Sequence, residues 1–111
     1  MVAHIQITGR RFLFDFGQNA KYELYFVDSK HLQVTVVEDP GFAKGTLNSF
    51  DIDMTEIRPN VYMVTWVESQ TGNTVTHVED YEQLVAFTNI TDLASKQFWR
   101  LKGKIIPRAA A

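Results

Sequence analysis

The 111-residue sequence has no cysteine, which excludes disulfide bonds, thiolate nucleophiles and cysteine-ligated metals. It also lacks an apolar run long enough for a membrane-spanning helix, and residues 1–6 lack the apolar centre of a signal peptide. Its 11 basic and 13 acidic residues give a formal charge of -2 and are mixed along the chain, whereas a nucleic-acid surface needs clustered basic side chains. We therefore expect a cytoplasmic protein, of a kind suited to bacteria, with neither nucleic acid nor membrane as a partner.

Several catalytic motifs are missing as well. No serine lies in a nucleophile elbow, no glycine-rich phosphate loop opens a helix, and no lysine lies in an evident apolar pocket. His77 and Glu79 alternate on one segment and could join Glu68 as metal ligands, but His4 and His31 belong to other segments and no recognisable ligand spacing is present. We expect no metal and no cofactor, and hydrolase, kinase and dinucleotide chemistry are disfavoured.

Segments rich in valine, threonine and aromatic residues alternate with turn clusters at the spacing of an all-β protein, roughly one strand per 8 to 12 residues. About eight strands are predicted within a single domain, residues 1–108, and the alanines at 109–111 are predicted to be a cloning remnant. Residues 81–87 could also form a short turn of helix. The predicted strands are 11–16, 21–27, 32–37, 46–54, 61–68, 74–78, 84–90 and 97–105, the last interrupted by Gly103.

Consecutive strands with short connections favour an antiparallel up-and-down meander, and closing such a meander into a barrel removes its exposed edges. A barrel of about eight strands can hold one small ligand. On the strand pattern alone, a two-sheet sandwich with a solid core is about as compatible with the sequence as the barrel is.

Glu68 ends the strand predicted over 61–68, on the face that also carries Tyr62, Val64 and Trp66. A carboxylate in line with these side chains either ends the strand in water or enters an apolar pocket, where desolvation would raise its pKa. The turn residues that follow indicate a hairpin with the next strand. Glu68 is the leading candidate for a functional carboxylate.

The length of this hairpin loop decides which side chains accompany Glu68. A loop over 69–73 pairs Glu68 with Thr74, whereas a loop over 69–72 pairs it with Asn73 and brings His77 to the same face. In the second register, Glu68 and His77 could act as an acid/base pair, because each can tune the proton affinity of the other. The alternative is a solvated Glu68 and a structural His77.

Six segments carry a family resemblance that covers the stretch from Gly9 to Gly103. The segments are Tyr22-Glu23-Leu24 and residues 57–62, 64–68, 76–80, 88–91 and 98–103. The stretch resembles the molybdenum cofactor biosynthesis protein F (MoaF-like) family. The resemblance implies a small calycin-type, lipocalin-like barrel with a cavity, but it does not specify an activity.

A more distant resemblance is to the phenolic acid decarboxylases, and it aligns their barrel glutamate with Glu68 and favours the shorter hairpin loop. Two tyrosines of those enzymes that hold the substrate carboxylate align with Phe14 and Phe16, which lack the hydroxyl groups. Their arginine aligns with Lys44, which keeps the charge but loses the bidentate geometry. A small polar residue of theirs aligns with Asn73. The mismatches argue against a phenolic acid substrate.

Other side chains complete the predicted site. Arg58 could bind an anionic group at the barrel mouth, although an arginine near Glu56 in a turn is more often a solvated surface pair. Alternating aromatics in a small barrel either line a ligand cavity or, more often, pack its core. These aromatics are Phe14, Phe16, Tyr22, Phe26, Tyr62 and Trp66.

Three functions are compatible with this sequence. The first is binding of a small apolar or aromatic molecule, with Glu68 as polar anchor and His77 as a second polar contact. The second is a lyase or isomerase in which Glu68 is the general acid/base, with His77 as its partner. The third is a packed barrel that serves as a structural or self-association module, for example as a homodimer through an exposed strand.

Overall fold

The computed structural model describes residues 3–108, which form a single antiparallel sheet of nine strands. The predicted remnant at 109–111 lies outside these residues. No helix long and apolar enough to span a bilayer occurs within the described range. The strands are β1 (Arg11–Asp15), β2 (Lys21–Phe26), β3 (His31–Glu38), β4 (Leu47–Asp51), β5 (Asp53–Arg58), β6 (Val61–Glu68), β7 (Asn73–Asp80), β8 (Val85–Asp92) and β9 (Gln97–Pro107).

The sheet curls into a nearly closed barrel because the first strand pairs with the last. β1 pairs with both β2 and β9, which leaves β4 and β5 at the two ends of the strand order. These ends meet through a stacked aromatic pair, Phe50 of β4 and Trp66 of β6, with ring centroids 5.8 Å apart. The predicted up-and-down barrel is confirmed, and the two-sheet sandwich is wrong.

The ninth strand comes from the region predicted as one strand over 46–54. β4 pairs with β3, whereas β5 pairs with β6, so the chain changes partners at Ile52. Ile52 is buried, and its amide donates to the Lys30 carbonyl oxygen at 2.8 Å. The continuous segment 47–58 therefore supplies both end strands of the sheet, β4 and β5. The alternation of apolar residues cannot predict this division, because it does not show which strand each half pairs with.

Two predicted turns differ in the structure. The turn expected over 56–60 is shorter, because β5 continues through Arg58 and only Pro59 and Asn60 reverse the chain, Asn60 with φ of 68°. Asn60 is buried and bonds to the backbone of Ala3 and Ile5, which compensates for its left-handed conformation. The helical turn considered for 81–87 is wrong: a turn over 81–84 leads directly into β8.

One half of the barrel is packed with large side chains. Alternation along β1 and β2 buries Phe12, Phe14, Leu24 and Phe26, as the sequence pattern predicts. Phe12 is at the centre of this half. Its ring contacts the ring of Tyr81 edge-to-face, with the two ring centroids 5.0 Å apart. Aromatic contacts of this kind add to the free energy gained by burial alone.

Gly103 lies within β9 and does not interrupt the strand. A Cβ atom at this position would be 2.6 Å from the carbonyl oxygen of Asp15 and 2.6 Å from Cδ1 of Phe16. The absence of a side chain therefore lets β9 approach the end of β1 closely.

Gly103→Ala is expected to destabilise the barrel by about 1–3 kcal/mol, because the new methyl group overlaps backbone as well as a side chain. Urea denaturation measures the change. Gly41→Ala is the matched control, since its Cβ would find only the Asp39 carboxylate at 3.4 Å. Equal unfolding midpoints for the two variants would contradict the close packing of β9 on β1.

Candidate functional site

The half of the barrel opposite the Phe12 cluster contains a cavity of about 520 Å³. The turns β1–β2, β3–β4 and β6–β7 border it, so its mouth is at the end of the barrel where these turns meet. The lining is mainly apolar and aromatic, with a small number of polar groups. Its apolar and aromatic residues include Phe16, Leu24, Val34, Val36, Phe50, Trp66, Val75, Ile90, Trp99 and Leu101.

The β6–β7 hairpin provides the polar centre of the cavity. Glu68 pairs with Asn73 and Val64 with His77, so the loop is 69–72 and the shorter of the two predicted loops is confirmed. Gly72 makes this tight turn possible with φ of 77°. Because side chains alternate along a strand, the register brings Glu68, Asn73 and His77 to the cavity together.

The Glu68 carboxylate is half-buried at the cavity wall. Its Oε2 accepts a hydrogen bond from the indole Nε1–H of Trp66 at 3.3 Å. Burial raises the pKa of Glu68, and the indole hydrogen bond only partly opposes that shift. Glu68 therefore changes between its acid and carboxylate forms at a higher pH than a surface glutamate does.

His77 is 5% exposed and is enclosed by aromatic rings. Phe14 stacks on the imidazole at 5.6 Å, while Trp66 and Phe16 contact it edge-on at 4.9 and 5.8 Å. The imidazole Nδ1–H donates to Oε2 of Glu79 at 2.8 Å. The rings and the hydrogen bond fix the orientation of this imidazole beside the cavity.

Glu79 and Tyr81 hold His77 from behind. Glu79 is 0% exposed, and its Oε1 accepts from the hydroxyl of Tyr81 at 2.6 Å. Burial, followed by the Glu79 charge, raises the pKa of Tyr81, so its hydroxyl remains a donor. The sequence analysis considered Glu79 only as a metal ligand and did not predict Tyr81. The alternation of 77, 79 and 81 on one face could have indicated this network.

Four other predicted site residues do not line the cavity. Phe14 is fully buried behind His77, and Tyr62 belongs to the packed half, where its hydroxyl donates to Glu56 at 3.1 Å. Arg58 is exposed at the opposite end of the barrel from Glu68, and Lys44 is exposed in the β3–β4 loop. The cavity therefore contains Phe16, Trp66, Asn73, Glu68 and His77 of the predicted set.

The structure adds polar residues that the sequence analysis did not predict as polar contacts of the site, among them Tyr22, Asp39 and Thr88. Tyr22 lines the cavity, and its hydroxyl donates to the carboxylate of Asp39 in the β3–β4 loop. Burial raises the pKa of Tyr22, and the hydrogen bond to Asp39 adds to this. Thr88 of β8 pairs with His77 and is 2% exposed. Alternation along β8 places Thr88 inward, but the sequence contains nothing that marks a lone threonine as functional.

The arrangement can hold a ligand and can exchange protons with it. The Glu68 carboxylate can accept a proton, as general base chemistry requires. Within residues 3–108 no group of three or more histidine, aspartate or glutamate side chains is placed to bind a metal ion.

The profile of the MoaF-like family matches residues 8–106. This chain belongs to the MoaF-like family. The match covers all nine strands except the last residue of β9, so the predicted resemblance is confirmed over the whole barrel. No curated protein matches this chain.

A solved structure shares the fold of this MoaF-like chain. It is described as a "putative beta-lactamase" from Burkholderia vietnamiensis, and the two superpose with a TM-score of 0.81. The alignment covers 96% of this chain and 100% of the other, with 20% sequence identity. At this identity the likeness concerns the fold alone.

Glu68→Gln is expected to stabilise the fold at neutral pH. Because burial raises the folded-state pKa above the unfolded value, the folded protein holds this proton more tightly. The free energy of unfolding of the wild type therefore falls as the pH rises from the unfolded pKa through the raised folded pKa. The glutamine variant has no proton to lose at this position and does not show that decrease.

Urea denaturation at several pH values compares the two proteins. The advantage of the variant should be smallest in acid and fully developed above the raised pKa. Glu82→Gln, at an exposed position in the β7–β8 turn, controls for the loss of one negative charge. A difference between wild type and Glu68→Gln that does not change with pH would show that Glu68 is not desolvated.

Proposed function

We propose that this barrel binds one small, largely apolar or aromatic molecule in its cavity, with Glu68 as the polar anchor. The observation that carries the proposal is the hollow of about 520 Å³ in a barrel whose other half is tightly packed. Ligand pockets in proteins commonly have about 300–1,000 Å³, with mostly apolar walls and a few polar groups. The unfilled interior argues against the packed structural module as the main function.

The walls are suited to a flat ring. Trp66, Phe16 and Phe50 present aromatic surface, and Trp99 lies near the mouth. Glu68 then fixes orientation, since a half-buried carboxylate can accept a strong hydrogen bond from a bound molecule.

Lactam hydrolysis, the activity in the description of the Burkholderia protein, is not part of the function proposed for this chain. Opening a lactam requires a nucleophile such as an activated serine or a metal-bound water. No serine is among the described residues that line the cavity, and no metal-binding cluster occurs within 3–108.

Binding can be measured with N-phenyl-1-naphthylamine, an uncharged aromatic dye whose emission rises in apolar surroundings. The two tryptophans of the chain, Trp66 and Trp99, both line the cavity, so a bound dye should receive excitation energy from them. We expect saturable, tryptophan-sensitised dye emission with one molecule bound per chain.

A matched pair of variants on β3 tests the location. Val34→Trp places a large side chain in the cavity and should reduce dye affinity at least about tenfold, because each 1.4 kcal/mol of lost binding is tenfold. Thr35→Trp adds the same side chain at the next position, which does not line the cavity, and should bind like wild type. Absence of saturable binding in wild type, or equal binding by both variants, would contradict the proposal.

A second candidate is acid/base catalysis on the bound molecule. The observation in its favour is that the buried Glu79 orients His77 on the same cavity wall as Glu68. Mass spectrometry of a molecule that co-purifies with the protein, before and after prolonged incubation, distinguishes the two. A molecule with unchanged mass and unchanged chromatographic retention supports binding alone, and a new product, including an isomer of the same mass, supports catalysis.

A further inference from the structure

Two buried polar atoms at the cavity have no hydrogen-bond partner within the described chain. They are Oδ1 of Asn73 and the hydroxyl oxygen of Thr88. An unsatisfied buried polar group costs about 1–3 kcal/mol, so nearly all buried polar atoms of native proteins have a partner in the protein, in water or in a ligand. Both residues line the hollow, and Thr88 is directly across the β7–β8 ladder from His77. A bound molecule could satisfy both atoms.

More hydrogen-bond acceptors than donors face this ligand from Glu68, Asn73, Thr88 and His77. The amide oxygen of Asn73 and the carboxylate of Glu68 only accept, the Thr88 hydroxyl can accept or donate, and the amide nitrogen of Asn73 is a donor. In the neutral imidazole of His77, Nδ1–H is donated to Glu79 and Nε2 accepts. The indole N–H of Trp66 is occupied by Glu68. A ligand that supplies hydrogen-bond donors can pair with the oxygens of Asn73 and Glu68, and one that supplies only acceptors cannot.

The charged side chains around the cavity also favour a ligand that is not an anion. Its wall contains the carboxylate of Glu68, and its rim contains that of Asp39. None of the described lining residues is lysine or arginine, and the nearby Lys44 is exposed and not part of the lining. A carboxylate or phosphate bound here would lose its hydration and meet the Glu68 and Asp39 carboxylates without gaining a lysine or arginine partner, which is unfavourable.

We propose that the ligand is an aromatic or apolar hydrogen-bond donor, neutral or cationic, such as an amine or alcohol, and that this cavity rejects anions. The inference deepens the proposed function and rests on it. It assigns Glu68, Asn73, Thr88 and His77 to recognition of the donor groups, while the aromatic wall holds the ring.

Three probes with the same naphthyl ring test this inference by displacement of N-phenyl-1-naphthylamine. They are 2-(1-naphthyl)ethylamine, 2-(1-naphthyl)ethanol and 1-naphthylacetate, which carry an ammonium group, a hydroxyl group and a carboxylate. We expect the amine and the alcohol to displace the dye at concentrations at least about tenfold below those needed for the acid, because only the acid buries an unpaired charge.

Two variants identify the side chains that cause this preference. Glu68→Gln should narrow the gap between the amine and the acid, because it removes the charge that attracts one and repels the other. Thr88→Val keeps the shape but removes the hydroxyl, and we expect it to weaken the alcohol several-fold, as the loss of about 1 kcal/mol implies. Thr74→Val, an exposed position on β7, is the control and should leave all three probes unchanged.

The outcomes separate this inference from the proposed function. Tighter binding of the amine and the alcohol, reduced by the two cavity variants, supports it. Equal or tighter binding of 1-naphthylacetate overturns it and leaves the cavity a ligand site, as does dye binding that neither the amine nor the alcohol can displace. Failure of the dye itself to bind overturns the proposed function, and with it this inference.

Discussion

The register of the β6–β7 hairpin, with Glu68 opposite Asn73, is the constraint on which the cavity depends. The side-chain period of a strand is two, so a shift of one residue would turn His77 and Glu79 outward and bring Thr76 and Val78 inward. The observed register instead places a carboxylate, an amide and an imidazole on one wall. The packing of Trp66 against the His77 ring is a consequence of this pairing.

The barrel divides its interior between stability and function. The half around Phe12 and Tyr81 is filled with aromatic side chains. The other half is hollow, so it forgoes that packing energy and retains unsatisfied polar atoms. The buried Glu79 connects the halves, because it accepts from Tyr81 on the packed side and from His77 on the cavity side. Rigid packing behind the site thus holds its functional side chains in position.

Much of the barrel could be predicted from the sequence, because alternation of apolar residues is a local property of each strand. The strand that ends at Glu68 and the inward face of Phe12 and Phe14 follow from that pattern. The change of partners at Ile52 could not be predicted, because it depends on which distant strand each half meets. Pairing of the chain ends also places Gly103 against Asp15, a tertiary contact without a local sequence pattern.

The site was only partly predictable for the same reason. Residues of one hairpin, such as Glu68 and His77, share a face once the register is known, whereas Thr88 comes from the next strand and required the sheet order. Lys44 and Arg58 were predicted from alignment and charge, but one is in an exposed loop and the other is at the far end of the barrel. Cross-strand nuclear Overhauser effects in β6–β7 test the central claim most directly. Contacts joining Val64 to His77 and Glu68 to Asn73 are expected, and contacts joining Val64 to Val78 and Glu68 to Thr74 would contradict it.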